Sequence, residues 1–533
     1  MRVKHRFSIF ITSALAAASL NAQAQKAENN APQLVVGIVI NGLNIDNIEL
    51  LRDYFGQNGF NRLLNNGLVL TEIDYGSNVD ATTAIGIVYT GASPSINGVT
   101  GDYFFNRDER RTRKIFFDSS KIGNFTNETL SPAALLTTTI SDEIKINNDD
   151  LGRVYALSPN ANQAILLGGH AATAACWITD DTGKWATTTF YKDLPPAVQT
   201  ANRIKPLSTA LDTKDWRPLL SPDKFSFLPK YQRLYPFRVS FNKSDPNRYK
   251  AFKESALVNE EVTNIACDLI KTSSLGKNNQ LEMININYTA EPYNYIDDKD
   301  NRAQLYDSNI RIDGELDRLF NAIDKSGPGM NNTLVFVVGT PEKPTNLIDE
   351  SKFRINSGEF SPSRAVSLLN MYLMSLYGNG DYVSGYNDKQ FYLNHKTIKD
   401  KGLQLDKIRH DGASFLRQMS GVSMAETIDD ILDGKNSDSK ALPIARNINI
   451  NKSGDIFIAV TPGWTIIDST NDNYPVQPVQ RIGTSTSSAF ILSPRVKSQT
   501  ITTPVDARAI APTVTRLLRI RSPNGAELPA IRY

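Results

Sequence analysis

The chain has 533 residues, of which 40% are apolar, and it carries 58 Lys and Arg against 56 Asp and Glu, for a formal net charge of +2. This length allows a large buried core, either in one α/β domain with insertions or in two domains. The even charge balance gives no basic surplus of the kind that binds nucleic acid.

The first 24 residues have the pattern of a secretory signal peptide. Three basic residues within the first six precede an apolar run over 7–20, and Ala-Gln-Ala at 22–24 is a small-x-small cleavage site. Removal of this segment takes away three basic and no acidic residues, so the net charge of the mature chain is near −1. No cysteine at the cleavage point indicates a lipid anchor, and no later apolar run reaches the roughly 20 residues of a membrane span. We therefore expect a periplasmic or secreted protein.

The chain has two cysteines, Cys176 and Cys267. In an oxidising compartment they either form one disulfide or remain two buried thiols. Both interpretations stay open, because nothing in the sequence fixes the distance between the two residues.

An uninterrupted apolar run over 34–40 predicts a central parallel strand that is buried on both faces. The run ends at Asn41, and the carboxyl ends of strands are where open α/β sheets gather their chemistry. Helices are predicted over 48–55 and 59–66. Asp46, in the turn before the first of them, is expected to cap that helix or to face solvent, with an inward orientation as the alternative.

A strand predicted over 68–73 leads to the segment 80–102, around which the rest of the chain is organised. Asp80 is expected to cap a helix whose apolar side chains fall within 84–89. The pattern therefore predicts a helix N-terminus that points into a loop, where backbone N–H groups and the positive end of the helix dipole bind anions, commonly phosphate. An ordinary strand, turn and helix without a ligand is the simpler interpretation of the pattern alone.

Later elements are predicted in the same way. Apolar periodicity and apolar runs predict helices over 136–146, 256–270 and 307–322, and strands over 281–288 and 333–339. The stretch 154–166 is predicted to be a strand followed by a loop.

Several short segments resemble the alkaline phosphatase superfamily, most closely the PafA-type alkaline phosphatases and the type I phosphodiesterase/nucleotide pyrophosphatases. They are Thr-Ala-Ile-Gly at 83–86, Tyr-Thr-Gly at 89–91, Ser-Pro-Ser-Ile-Asn-Gly at 93–98, Thr-Gly-Asp at 100–102 and Pro-Asn-Gly at 523–525. The resemblance spans nearly all of the mature chain. It implies one α/β domain over 25–533, a doubly wound, mostly parallel sheet flanked by helices, with a cap-like insertion at about 103–250 and a second insertion at about 343–450.

The resemblance also implies where catalytic groups would stand. The family uses a Thr nucleophile, and the matching position here is Ala81, which has no hydroxyl. The family binds two zinc ions, and the matching positions are Asn41, Glu291, Tyr295 or Ile296, Thr340 and Pro341. The family holds the substrate phosphate with Asn, Lys and Arg, and the matching positions are Asp102, Asn160 and Asn162. Only Glu291 survives as a metal ligand, and no His stands near residue 485.

Changes at every strand end lead to the hypothesis that this chain binds no zinc and is a non-catalytic family member. Such a protein would keep its cleft and insertions to bind a periplasmic protein, a glycan or a lipid headgroup. The alternative is a hydrolase with a relocated site, in which Thr82 or Thr83 is the nucleophile and Glu291, Asp102 and Asp46 hold a hard cation such as Mg²⁺. The mature histidines, His170, His395 and His410, are expected to be structural or surface residues.

Overall fold

The computed structural model describes residues 31–77, 79–295, 300–343, 357–434, 442–468, 476–479 and 485–533. The predicted signal peptide and Ile296 lie outside these ranges. Within the described part of the chain, helices cover both faces of an 11-stranded sheet, and four smaller sheets lie apart from it.

The strands, in chain order, are β1 Leu34–Asn41, β2 Leu68–Asp74, β3 Tyr103–Asn106, β4 Arg111–Lys114, β5 Gly123–Asn124, β6 Val154–Ser158, β7 Ala174–Ile178, β8 Trp185–Thr188, β9 Asp215–Trp216, β10 Val239–Ser240, β11 Glu282–Thr289, β12 Thr333–Gly339, β13 Gly358–Phe360, β14 Val383–Asn387, β15 Gln390–Leu393, β16 Val422–Thr427, β17 Ile456–Val460, β18 Trp464–Ile467, β19 Val476–Pro478, β20 Thr486–Leu492, β21 Gln499–Ile501 and β22 Val505–Asp506.

The α-helices are α1 Ile45–Leu50, α2 Phe60–Asn66, α3 Ala81–Thr90, α4 Pro94–Asn97, α5 Ile140–Asn147, α6 Ala161–Gly168, α7 Pro196–Ile204, α8 Leu207–Ala210, α9 Lys230–Leu234, α10 Arg248–Glu254, α11 Leu257–Thr272, α12 Arg302–Ser326, α13 Pro362–Tyr377, α14 His395–Asp400, α15 Leu405–Leu416, α16 Ile428–Asp433, α17 Leu442–Ala445 and α18 Ile510–Leu518.

The large sheet has the order β21, β2, β20, β12, β1, β11, β6, β7, β8, β5, and β22 also pairs with β2. Its five central strands, β12, β1, β11, β6 and β7, are parallel to one another. Antiparallel pairing begins on either side of them, at β20 and at β8. The prediction of an α/β fold with a mostly parallel sheet between helices is confirmed.

Burial on both faces explains the apolar run of β1. All eight residues of this strand are buried. Val36 and Ile38 belong to the hydrophobic core on one side of the sheet, whereas Val35 and Val39 belong to the core on the other side. Side chains alternate between the faces of a strand, so a strand covered on both sides needs apolar residues throughout.

Gly37, in the middle of β1, fixes the position of α3 on the sheet. The Tyr89 hydroxyl of α3 donates a hydrogen bond of 2.9 Å to Asn285 Oδ1 of β11. A Cβ atom on Gly37 would lie 2.6 Å from both of these oxygens. Because Gly37 has no side chain, the buried Tyr89 side chain can pass over β1 and reach Asn285. This hydrogen bond fixes α3, the helix that begins at Ala81, against the sheet.

The region 103–250 differs from the expected insertion. It contains the hairpin β3–β4 and several short elements, but it also contributes β5, β6, β7 and β8 to the large sheet. All residues of β6 and β7 are buried, so these two strands belong to the core of the domain and not to a surface insertion. The stretch after β6 is the helix α6 and not a loop, because it packs the buried Ile165, Leu166 and Leu167 against the sheet.

A second unit follows residue 357. Its antiparallel sheet has the order β14, β15, β17, β16, and its own hydrophobic core includes Leu369 and Leu373 of α13 and Ile408 of α15. The strand β17 ends at Val460, so this sheet extends beyond the expected boundary near residue 450.

Candidate functional site

The carboxyl ends of β1, β11 and β12 meet at one edge of the large sheet. Asn41, the last residue of β1, is in register with Thr289 of β11, and the preceding Ile40 is in register with Gly339 of β12. The chain then turns at Gly42, whose N–H donates to the Thr340 hydroxyl at 3.3 Å. The predicted positions Asn41 and Thr340 are thus brought together, with Glu291 next to them.

Asn41 belongs to a buried cluster of neutral side chains that the sequence analysis did not identify. Its Nδ2 donates to Gln163 Oε1 at 3.0 Å, and its Oδ1 accepts from Asn287 Nδ2 at 3.2 Å. The Ser158 hydroxyl donates to Asn287 Oδ1 at 2.9 Å. Asn160 Nδ2 lies 3.5 Å from Gln163 Oε1 at the edge of this cluster. Hydrogen bonds within the protein therefore occupy both polar atoms of the Asn41 amide.

Glu291 forms an ion pair that the sequence analysis also missed. Its Oε2 lies 2.6 Å from Nζ of Lys343, three residues after Thr340. The Glu291 side chain is only 10% exposed, against 34% for Lys343. An ammonium group thus neutralises the one carboxylate among the positions matched to zinc ligands.

The N-terminus of α3 is capped as predicted. Asp80 Oδ1 accepts a hydrogen bond of 2.7 Å from Thr83 N, and Oδ2 accepts one of 2.8 Å from Asp102 N. Asp80 retains solvent access, yet the surrounding protein atoms, followed by the charge of Asp102, raise the pKa of its carboxyl to about 6. Ala81 is the first residue of the helix, so a methyl group stands where the resemblance places the nucleophile.

Asp102 connects α3 to α6. Its carboxylate accepts hydrogen bonds from the Thr82 hydroxyl and, at 3.1 Å, from Asn162 Nδ2. Asn162 Nδ2 also donates to the Asp102 carbonyl oxygen at 2.9 Å. Thr82 is 0% exposed and Thr83 is 3% exposed. The structure therefore brings Thr82, Asp102 and Asn162 into one partly buried network, with Ala81 beside it.

The remaining predicted residues do not join either network. Tyr295 is exposed and packs against Tyr293, with ring centroids 5.9 Å apart. Asp46 is exposed in the first turn of α1, where Asn44 is the capping residue. Pro341 follows Thr340 and has no side-chain donor or acceptor.

The three histidines have local partners elsewhere. His170 lies 3.0 Å from a carboxylate oxygen of Asp142, which raises the pKa of the imidazole. His395 contacts the buried Asp455, and His410 lies 3.1 Å from Asp430. These contacts agree with the structural roles expected for these residues.

The side chains at the carboxyl edge do not fit a pair of zinc ions. Zinc sites are built from thiolate, imidazole and carboxylate ligands. Here the Asn41 amide and the Thr340 hydroxyl are engaged in hydrogen bonds, Glu291 is paired with an ammonium, and Pro341 offers no ligand atom. Among the described residues, no group of three or more His, Cys, Asp or Glu is arranged to hold a metal ion.

Two further expectations concern the thiols and the membrane. Cys176 and Cys267 are both free thiols in the structure, and burial raises the pKa of Cys267 to about 11. None of the helices in the described ranges combines the length and the apolar character needed to cross a bilayer.

Comparison with known proteins identifies the family. Residues 35–487 match the profile of the type I phosphodiesterase / nucleotide pyrophosphatase family. The chain is 25% identical to alkaline phosphatase PafA of Elizabethkingia meningoseptica over 516 residues, covering 93% of each protein. It is 26% identical to alkaline phosphatase PhoV of Synechococcus elongatus, covering 93% of this chain and 91% of PhoV. It is also 26% identical to a Myroides odoratus protein named calcium-transporting ATPase, covering 93% of each.

Solved structures agree at the level of the fold. Wild-type alkaline phosphatase PafA superposes with a TM-score of 0.79 at 23% identity, covering 94% of this chain and 98% of the solved one. A PafA variant with four substitutions gives a TM-score of 0.81 at 24% identity and the same coverage. Since the family profile spans most of the sequence, the chain belongs to the type I phosphodiesterase/nucleotide pyrophosphatase family.

Proposed function

We propose that this protein is a non-catalytic member of its family, exported to the periplasm or secreted, which binds a protein, a glycan or a lipid headgroup and does not hydrolyse phosphate esters. The signal-peptide pattern of the first 24 residues supports export. The extensive likeness to alkaline phosphatases makes hydrolysis the alternative that any test must exclude.

The observation that carries the proposal is the methyl group of Ala81 at the start of α3. Covalent phosphoryl transfer needs a nucleophilic oxygen that a base or a metal ion activates. A methyl group cannot attack phosphorus, and the hydroxyl next in sequence, that of Thr82, is fully buried.

The charges around Ala81 support the same proposal. A phosphate monoester is a dianion near neutral pH, and its transfer needs positive charge where negative charge develops. Asp80 and Asp102 instead place two acidic groups beside the start of α3. The neighbouring cluster around Asn41 consists of uncharged side chains.

Turnover assays on the mature protein test the proposal. The chain without residues 1–24 would be incubated with Zn²⁺ or Mg²⁺ and assayed with p-nitrophenyl phosphate and bis-p-nitrophenyl phosphate. We expect no hydrolysis above that of a chelator-treated sample. Metal-dependent hydrolysis that copurifies with the folded protein would overturn the proposal.

One observation favours a second candidate function, a hydrolase with a relocated site. The Thr82 hydroxyl donates to the Asp102 carboxylate, and a hydroxyl paired with a base is the arrangement of an activated nucleophile. Against this candidate, the two other Mg²⁺ ligands expected for it are engaged differently: Glu291 pairs with Lys343, and Asp46 faces solvent on α1. This candidate predicts that Thr82→Ala or Thr83→Ala abolishes hydrolysis; activity that is unchanged in both variants excludes it.

A further inference from the structure

The side chain of Glu291 stands at the centre of the carboxyl edge. It follows β11 by two residues, and its Cγ would lie 3.1 Å from a Cβ atom placed on Gly42. The Gly42 N–H in turn donates a hydrogen bond to the hydroxyl of Thr340, the residue that follows β12. Glu291 therefore lies beside the turn that follows β1 and near the end of β12, in the part of the sheet where α/β proteins bind their ligands.

Lys343 brings a positive charge to this carboxylate. Its Nζ lies 2.6 Å from Glu291 Oε2, the short distance typical of a charge-assisted hydrogen bond. Glu254, at the end of α10, is a second acidic group that interacts electrostatically with both Lys343 and Glu291. Burial raises the pKa of Glu254, the charge of Lys343 lowers it and that of Glu291 raises it.

The ammonium and a metal ion compete for the same place. Metal–carboxylate bonds are about 2.0–2.2 Å long for zinc and similar for Mg²⁺. A divalent cation on Glu291 Oε2 would thus lie within about 5 Å of Lys343 Nζ, and charges of equal sign repel strongly at that separation in a partly buried site. The ion pair satisfies the carboxylate and at the same time opposes a second cation.

We propose that Lys343 is a tethered replacement for a metal ion: its ammonium neutralises Glu291 and excludes divalent cations from the carboxyl edge of the sheet. The inference rests on the ion pair and holds whatever partner the protein binds. It predicts that removal of the ammonium, without any added ligand, raises the affinity of Glu291 for a divalent cation.

The test measures Mn²⁺ binding to the full mature protein by electron paramagnetic resonance of the free ion. Mn²⁺ is suitable because carboxylate and carbonyl oxygens are its preferred ligands. We expect the Lys343→Met variant to bind about one Mn²⁺ per chain at least about tenfold more tightly than the wild type, because an opposing charge is lost. The double variant Lys343→Met with Glu291→Gln is expected to lose this gain.

Two controls separate this role from ordinary ion pairing. Lys343→Arg keeps the positive charge and is expected to bind Mn²⁺ as weakly as the wild type. Lys214→Met removes the cation of a comparable ion pair. In that pair Lys214 Nζ lies 2.8 Å from Glu260 Oε2, and both side chains are over a third exposed. This variant is expected to gain no Mn²⁺ binding.

Thermal melting gives an independent readout if Lys343→Met is poorly stable. The unpaired Glu291 is expected to lower Tm by a few degrees, on the order of 3 °C, and Mn²⁺ to restore it in this variant alone. A Lys343→Met protein that gains neither Mn²⁺ affinity nor Mn²⁺-dependent stability overturns the inference, as does tight Mn²⁺ binding at Glu291 in the wild type. Either result leaves the turnover assays to decide the proposed function separately.

Discussion

The carboxyl edge of the large sheet has two halves that differ in charge. At the ends of β1, β6 and β11, the side chains of Asn41, Asn287 and Ser158 are neutral and are linked to one another by hydrogen bonds. At the start of α3, the carboxyl groups of Asp80 and Asp102 lie close together, and Asp80 retains access to solvent. One half is electrically neutral and internally bonded, whereas the other is acidic and reachable from outside.

This difference shows that one sheet edge can hold two sets of polar groups with different charge and different access to solvent. Buried polar groups must find partners, so the amide half satisfies its hydrogen bonds within the protein. An acidic half at a helix N-terminus caps the helix but repels the phosphate dianion that such a terminus commonly binds. Neither half supplies the positive charge that phosphoryl transfer needs, and both depend on the same sheet underneath.

The largest loss of stability is expected from Gly37→Ala, because this substitution disturbs the packing of the sheet on which both halves depend. The new Cβ would lie 2.6 Å from Tyr89 Oη and Asn285 Oδ1. Overpacking of this kind costs about 3 kcal/mol or more when buried neighbours must move. The free energy of unfolding from chemical denaturation measures the loss. Gly314→Ala is the control, because nothing lies within 4 Å of its Cβ position; equal effects of the two substitutions would contradict the packing account.

The next effect is expected from Asn287→Leu, which breaks the amide half. The substitution leaves Asn41 Oδ1 without its donor and the Ser158 hydroxyl without its acceptor, both of them in buried residues. Unsatisfied buried polar groups cost about 1–3 kcal/mol each, so we expect a loss of about 2–4 kcal/mol in unfolding free energy. Ser158→Ala removes one donor only and should cost less. A loss below that of Ser158→Ala would mean that the cluster is not a bonded unit.

A smaller effect is expected from Asp102→Asn, which changes the acidic half while keeping its shape. A pKa of about 6 for Asp80 means that the folded protein holds the proton more tightly than the unfolded chain. Stability should therefore fall as the pH rises from about 4 to about 6, by about 1 kcal/mol after solvent screening is allowed for. Removal of the Asp102 charge should lower the pKa of Asp80 and flatten this dependence. Unfolding measured across pH 4–7 tests it; an unchanged profile would show that Asp102 has no influence on Asp80.

The smallest effect is expected from Ala81→Thr, at the boundary between the halves. The variant gains a hydroxyl at the first position of α3, but no positive charge and no metal ligand comes with it. We expect hydrolysis of p-nitrophenyl phosphate to stay at background and the free energy of unfolding to change by less than about 1 kcal/mol. Zinc-dependent turnover in this variant would show that the metal site is intact and that only the nucleophile is missing.

Much of the frame follows from local sequence patterns. The apolar runs over 34–40 and 333–339 correspond to β1 and β12, and Asp80 caps α3 as its position predicts. The helix α6 was missed because Ser158-Pro159-Asn160 has loop character, while the burial that makes the next residues helical comes from packing against the sheet.

The candidate site was only partly predictable, because its contacts join distant segments. Asn41 and Gln163 are 122 positions apart, and nothing local indicates their pairing. The signal that could have found Asn287 was its place in β11, where a polar side chain between the buried Ile286 and Tyr288 needs a hydrogen-bond partner. The pairing of Lys343 with Glu291 depends on two loops meeting at the sheet edge, which periodicity does not encode.

The most direct test of the account is the metal content of the wild-type mature protein. The protein would be purified without chelators, incubated with Zn²⁺, freed of unbound metal and analysed for zinc per chain. The account predicts no stoichiometric zinc, because an amide, an ammonium-paired carboxylate, a hydroxyl and a proline stand at the positions that the resemblance matches to zinc ligands. About two zinc ions per chain, held through gel filtration, would contradict it.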